Sequence, residues 1–151
     1  MPEIVVGVDG SPQSRAALDW ALAQAGLRRV PLTVLTVIPA AVEASGVTGQ
    51  LSPLDESFSE PGRSAVELAT QEIVDKAVAD RAGQPEVTVT VRAVAGRPAD
   101  ELVQASEDAE LLVVAAHGAG GFRRLVMGSV STQVVHHSRC PVVVIPAGRP
   151  H

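Results

Sequence analysis

The sequence alternates short aliphatic runs with longer stretches of helical periodicity, and this alternation leaves few folds open to it. The runs are Ile4 to Val8, Leu32 to Ile38, Val87 to Val94, Leu111 to Ala116 and Pro141 to Ile145. Between them, apolar residues recur three and four apart. Ala16, Ala17, Trp20, Ala21, Ala23 and Leu27 form one such stripe, opened by Ser11-Pro12 as N-cap and first helical residue and closed by Arg28-Arg29. Val66, Ala69, Ile73, Ala77 and Val78 mark a second helix, from Ala65 to Ala82, stopped by Gly83. Gly96-Arg97-Pro98 opens a third over Ala99 to Glu107, and Ser129 to His137 forms the last. Strands that alternate with helices build an open, doubly wound, mostly parallel sheet covered on both faces, with right-handed crossovers.

Composition fits that reading. A chain of 151 residues has the size of one domain. Its apolar content comes from Val, Ala and Leu; Trp20, Phe58 and Phe122 are the aromatics. Such strands suit burial on both faces. Residues Ala40 to about Arg63 contain Gly46, Gly49, Pro53, Pro61 and Gly62 without a sustained period, and are expected to form a long flexible surface loop, either a lid over a site or an insertion.

The formal charge of −5 is spread along the chain, and neither a basic stripe nor stacking aromatics are present, so no nucleic-acid partner is expected. Cys140 is the only cysteine and fits a reducing compartment. No secretory pattern and no apolar run of about 20 residues occurs, which leads to the expectation of a cytoplasmic protein without a membrane partner.

In a sheet of this kind ligands lie beyond the carboxyl ends of the strands, where the strand order reverses. Two segments there carry suitable residues. Asp9-Gly10-Ser11 follows the first strand; its carboxylate suits a ribose hydroxyl, an adenine amine or a phosphate-bound metal, or else a local turn before the helix. Gly118-Ala119-Gly120-Gly121 is followed by Gly128-Ser129-Val130-Ser131 at the head of the last helix. Glycines admit close approach of phosphate oxygens, and a helix N-terminus offers unpaired amides, though Ser129 or Ser131 also suits a plain N-cap.

The run VVAAHGAGGFRRLVMGSVSTQVVHHSRCPVVVI from Val113 to Ile145, together with VVGVDGS from Val5 to Ser11, resembles the universal stress protein family over the whole chain. The resemblance implies one domain over residues 1 to 151 with strand order 3-2-1-4-5, and binding of ATP with Mg2+ or Mn2+ on its phosphates. In ATP-binding members a Gly-x2-Gly-x9-Gly-Ser/Thr loop wraps the ribose and phosphates. Gly118 and Gly128-Ser129 match it, whereas Ala115 stands at the first glycine and adds a methyl near the ribose. The same resemblance places Gly7, Val8, Asp9 and Val37 around the base and ribose, Val114 and Ala115 beside them, and Ser129, Val130 and Ser131 at the phosphates. It further implies a homodimer joined through the last strand, which is expected at a sheet edge.

The lysine-bearing phosphate loop of conventional ATPases is absent, so no catalytic residue is assigned and little or no turnover is expected. Arg123-Arg124 reads as solvated surface. Among His117, His136 and His137, consecutive histidines do not converge on one point of a helix, so no protein-held metal is expected.

Overall fold

A computed structural model describes residues 2–39, 60–116 and 128–146. In chain order the elements are β1 (Ile4–Gly7), α1 (Pro12–Arg28), β2 (Leu32–Pro39), α2 (Glu60–Ala79), β3 (Val89–Gly96), α3 (Pro98–Ala105), β4 (Leu111–Ala115), α4 (Ser129–His137) and β5 (Val142–Ile145). The five strands form one sheet in the order β3-β2-β1-β4-β5, and every pairing is parallel. Ile4 stands opposite Leu32 on one side and Leu111 on the other, which sets all three strands level at their amino ends.

Alternate residues of each strand feed two separate cores. Ile4, Val6, Val8, Leu32, Val34, Leu111 and Val113 point to one face, where Ala17, Leu18, Ala21, Leu22 and Ala25 of α1 and Val74 and Ala77 of α2 cover them. Val5, Leu35, Leu112 and Val114 point to the other, against Ala99 and Leu102 of α3 and Val134 of α4. Among the described residues two helices cover each face, the doubly wound arrangement, and this explains why β1 and β4 read as unbroken aliphatic runs. Leu18, Leu22 and Leu112 have no exposed surface. Burying each such side chain contributes roughly 1.5–3 kcal/mol, more than any surface pair here can supply.

Element edges differ from the sequence reading by one residue at several ends and by more in the second helix, the third strand and the third helix. The second helix begins at Glu60, not Ala65. Pro61 falls in its first turn, where a missing amide costs nothing, so a residue taken as a loop signal opens a helix instead. Residues 60–63 of the expected loop are therefore helical, and 40–59 lie outside the described residues. The third strand runs Val89–Gly96, two residues later than Val87 to Val94, because pairing starts where β2 starts, at Leu32 against Val89. The third helix stops at Ala105, where Ser106 closes it with a backbone amide directed at Leu102, Val103 and Gln104.

Helix α1 ends on Arg29 in the left-handed conformation (φ 58, ψ 47), with its amide on the Ala25 carbonyl. Its start is tied down by side chains: Ser11 Oγ accepts from the Ser14 amide at 3.2 Å. None of the described helices is long and apolar enough to cross a membrane.

Candidate functional site

The chain fills the sheet from β1 outward to β3, then returns past β1 to lay down β4 and β5. The direction of winding reverses between β1 and β4, and their carboxyl ends open a crevice there. The carboxyl end of β1 carries the turn Val8-Asp9-Gly10-Ser11, and the end of β4 carries Ala115 and Ala116.

The turn after β1 is closed by its own polar groups. Asp9 Oδ1 accepts from the Ser11 amide at 2.9 Å, and the Asp9 amide donates to Ser14 Oγ at 3.3 Å. Ser14 Oγ in turn donates to the Ser11 carbonyl at 3.0 Å. Gly10 sits at φ 83 with open space around its α-carbon, a conformation that side chains resist and this reversal requires. The local-turn role of Asp9 is thus real, and it holds an exposed carboxylate in a fixed place at the strand end. Ser14, 4% exposed, was not singled out by sequence reasoning; its spacing from Ser11 was the available signal.

Across the crevice, α4 starts against the end of β4. The Gly128 amide donates to the Ala116 carbonyl at 2.7 Å, and the first helical bond runs from the Thr132 amide to the Gly128 carbonyl at 3.0 Å. Gly128 is the N-cap, extended at φ −65 and ψ 162, and has no side chain with which to cap. Among the described residues no side chain caps the head of α4, in contrast to α1 with its Ser11 cap.

The residues expected at the site take different parts. Asp9 and Ser129 are exposed at the crevice, on the β1 and α4 sides. Val8 and Val114 are buried in opposite cores, so only their backbone faces the strand ends. Val37 and Val130 pack half-buried against the α3–α4 core. Gly7 lies beneath Leu102 of α3, where a Cβ would be a tight fit. Ala115 is half-buried and packs against the core on the α1 side. Ser131 is 2% exposed, and its hydroxyl lies 3.0 Å from the Ala116 carbonyl and 3.1 Å from the Gly128 carbonyl. A serine has one hydrogen to give, and here the hydroxyl gives it to the backbone. Gly118 lies outside the described residues, as do His117, Arg123 and Arg124.

Residues 1–146 match the model of the universal stress protein family. The chain belongs to that family. A universal stress protein of Mycolicibacterium smegmatis is 35% identical over 143 residues, covering 94% of this chain and 47% of its own length. A universal stress protein of Mycobacterium tuberculosis is 35% identical over 146 residues with the same coverage, 94% and 47%. The chain thus spans about half the length of these curated relatives. Among solved structures, universal stress protein UspA of Lactobacillus plantarum superposes with a TM-score of 0.77 at 22% identity, over 95% of this chain and 97% of that one. A universal stress protein in complex with cAMP superposes with a TM-score of 0.67 at 26% identity, over 96% of each chain. An Archaeoglobus fulgidus member in complex with dAMP gives a TM-score of 0.59 at 22% identity, over 96% of this chain and 98% of that one.

No acidic residue stands in the first turn of α4. No group of three or more His, Cys, Asp or Glu side chains converges among the described residues, so they do not form a protein-held metal centre. His136 and His137 are exposed at the far end of α4. Cys140 sits half-buried before β5; burial pushes its thiol above the ordinary range, partly opposed by Ser138. That suits a packed thiol, not a reactive one.

Proposed function

We propose that this universal stress protein binds ATP at the β1–β4 crevice and works by holding it, with little or no turnover. The observation that carries this reading is the joint between β4 and α4. The Gly128–Ala116 hydrogen bond sets a glycine-headed helix N-terminus at the end of β4, and β4 pairs with β1, whose carboxyl end carries Asp9. A polyanion with a sugar attached suits such a crevice: amides of Ser129 and Val130 meet phosphate oxygens, and Asp9 accepts from a ribose hydroxyl. Mg2+ or Mn2+ is carried on the phosphates. The half-buried Val37 at the end of β2 offers an apolar contact for the base.

The working unit is a cytoplasmic homodimer joined through β5. This strand is the sheet edge, its four residues are all partly exposed, and it consists of three valines and an isoleucine. The carbonyls of Pro141 and Ile145 are taken by Leu112 and Ala116 of β4, so by strand alternation the backbone groups of Val142 and Val144 face outward, ready to pair with a second copy.

A second reading is binding of a smaller adenine nucleotide, AMP or cyclic AMP. It is favoured by the relatives solved with cAMP and dAMP. Titration calorimetry with ATP·Mg, AMP and cAMP, backed by mass spectrometry of whatever co-purifies, separates the two. ATP binding tighter than both rivals supports the first; no binding of any of the three rejects the site. A weak ATPase is the remaining alternative, and product accumulating over many turnovers, lost in Asp9→Asn, is its signature.

A further inference from the structure

We infer that Ser131 is a positioning residue for the nucleotide, fixing from inside the fold where α4 begins relative to the end of β4. The inference rests on the adenine-nucleotide reading and names a device that reading did not assign. The Ala116 carbonyl, which ends β4, accepts twice from the start of α4: from the Gly128 amide at 2.7 Å and from Ser131 Oγ at 3.0 Å. The same hydroxyl lies 3.1 Å from the Gly128 carbonyl, so it spans both sides of the strand-to-helix joint.

Among the described residues, the helix entry itself contributes only the Gly128 amide to this joint. Gly128 has no side chain, and glycine in an extended conformation resists displacement weakly. Ser131 is 2% exposed and sits beside Val134, which has no exposed surface and anchors α4 to the core. The hydroxyl therefore transmits the rigidity of the packed part of α4 to its unpacked head. If it is lost, the hydrogen it offers to the Ala116 and Gly128 carbonyls goes with it, the Gly128 amide alone ties the head of α4 to the end of β4, and that head drifts more easily. The amides of Ser129 and Val130 drift with it. Base and ribose, met at the ends of β1 and β2, do not depend on that joint. The cost of losing Ser131 should thus scale with the phosphates a ligand carries.

The test uses the full chain as wild type, Ser131→Ala, Ser131→Thr and Ser131→Cys, with calorimetry against adenosine, AMP and ATP·Mg, and hydrogen exchange at the Gly128 and Thr132 amides. In Ser131→Ala, ATP affinity is expected to fall about tenfold and adenosine affinity to stay within about twofold, with faster exchange at Gly128. Thr restores both and Cys, a weaker donor, falls between. Equal losses for adenosine and ATP, or unchanged Gly128 exchange, overturn the inference. Should wild type bind no adenine nucleotide, the functional reading fails, and the inference about the nucleotide falls with it; faster Gly128 exchange in Ser131→Ala would then still separate a purely structural clamp from no clamp at all.

Discussion

Gly7 of β1 lies directly under Leu102 of α3: a Cβ built on Gly7 would come 3.0 Å from Leu102 Cδ2 and 3.2 Å from Cδ1. A side chain at this strand end would therefore crowd Leu102, whatever ligand lies beyond it. Leu102 is 4% exposed and has little space to give. Gly7→Ala is expected to cost about 1 kcal/mol, and Gly7→Val about 2–3 kcal/mol. Urea denaturation of Gly7→Ala, Leu102→Ala and the double variant checks the contact. The double variant should lose less than the sum of the two; strict additivity would show that these residues do not collide.

Ala115 departs from the family's first loop glycine, but its methyl packs on the α1-side core. Ala115→Gly is expected to lower stability by about 0.5–1 kcal/mol, through lost burial and added chain entropy, and to leave ATP affinity within about threefold. Thermal melts and calorimetry on the same preparation decide it. A large gain in affinity would mean that the methyl reaches the ligand after all.

The edge strand gives a selective way to disturb pairing. The Val144 amide faces away from β4, so proline there removes no bond of the existing sheet. Val144→Pro should keep a cooperative melt within a few degrees of wild type and yield monomer where wild type is dimer. Light scattering that finds an intact dimer would move the interface elsewhere.

One ion network joins α1 to the chain just past α2. Arg15 Nη2 lies 2.8 Å from Asp80 Oδ2, and Arg15 Nε lies 2.8 Å from Asp19 Oδ1. The hydrogen bond from Arg15 holds the Asp80 carboxyl below its ordinary value. A carboxylate lowered in the folded state adds stability above its unfolded pKa and loses it as pH falls through the folded one. Asp80 is largely solvated, so the effect should be small and screened by salt. Asp80→Asn is expected to lower Tm slightly at pH 7, with the difference vanishing below about pH 3 and shrinking in molar salt. A difference that persists in acid would assign it to packing.

Much of this architecture is decided locally. The aliphatic runs become strands because their β-branched residues pack on both faces, and Ser11-Pro12 starts α1 because a side-chain acceptor followed by proline satisfies a helix entry. Where edges move, the reason is not local: β3 begins at Val89 because Leu32 of β2 stands opposite it, and no feature of Val87 or Thr88 announces that partner. Pro61 opens α2 although proline and glycine nearby read as loop.

The site divides in the same way. Asp9 at a strand end and a glycine before the last helix are positions along a chain that the spacing of strands and helices marks out; that they border one ligand crevice is what the family resemblance implies. Which way a side chain turns depends on what packs against it. Ser131 stands at the head of the last helix in sequence, and tertiary folding brings the Ala116 carbonyl within 3.0 Å of its hydroxyl. Ala115 stands at the family's first loop glycine, and the pleat of β4 sends its methyl to the α1 side. Sequence by itself determined which segments become strands and helices, because periodicity and caps act over a few residues. Only the folded chain decided which polar groups there are already paired, because hydrogen bonds between the end of one strand and the head of a later helix exist only once both are docked on the same sheet.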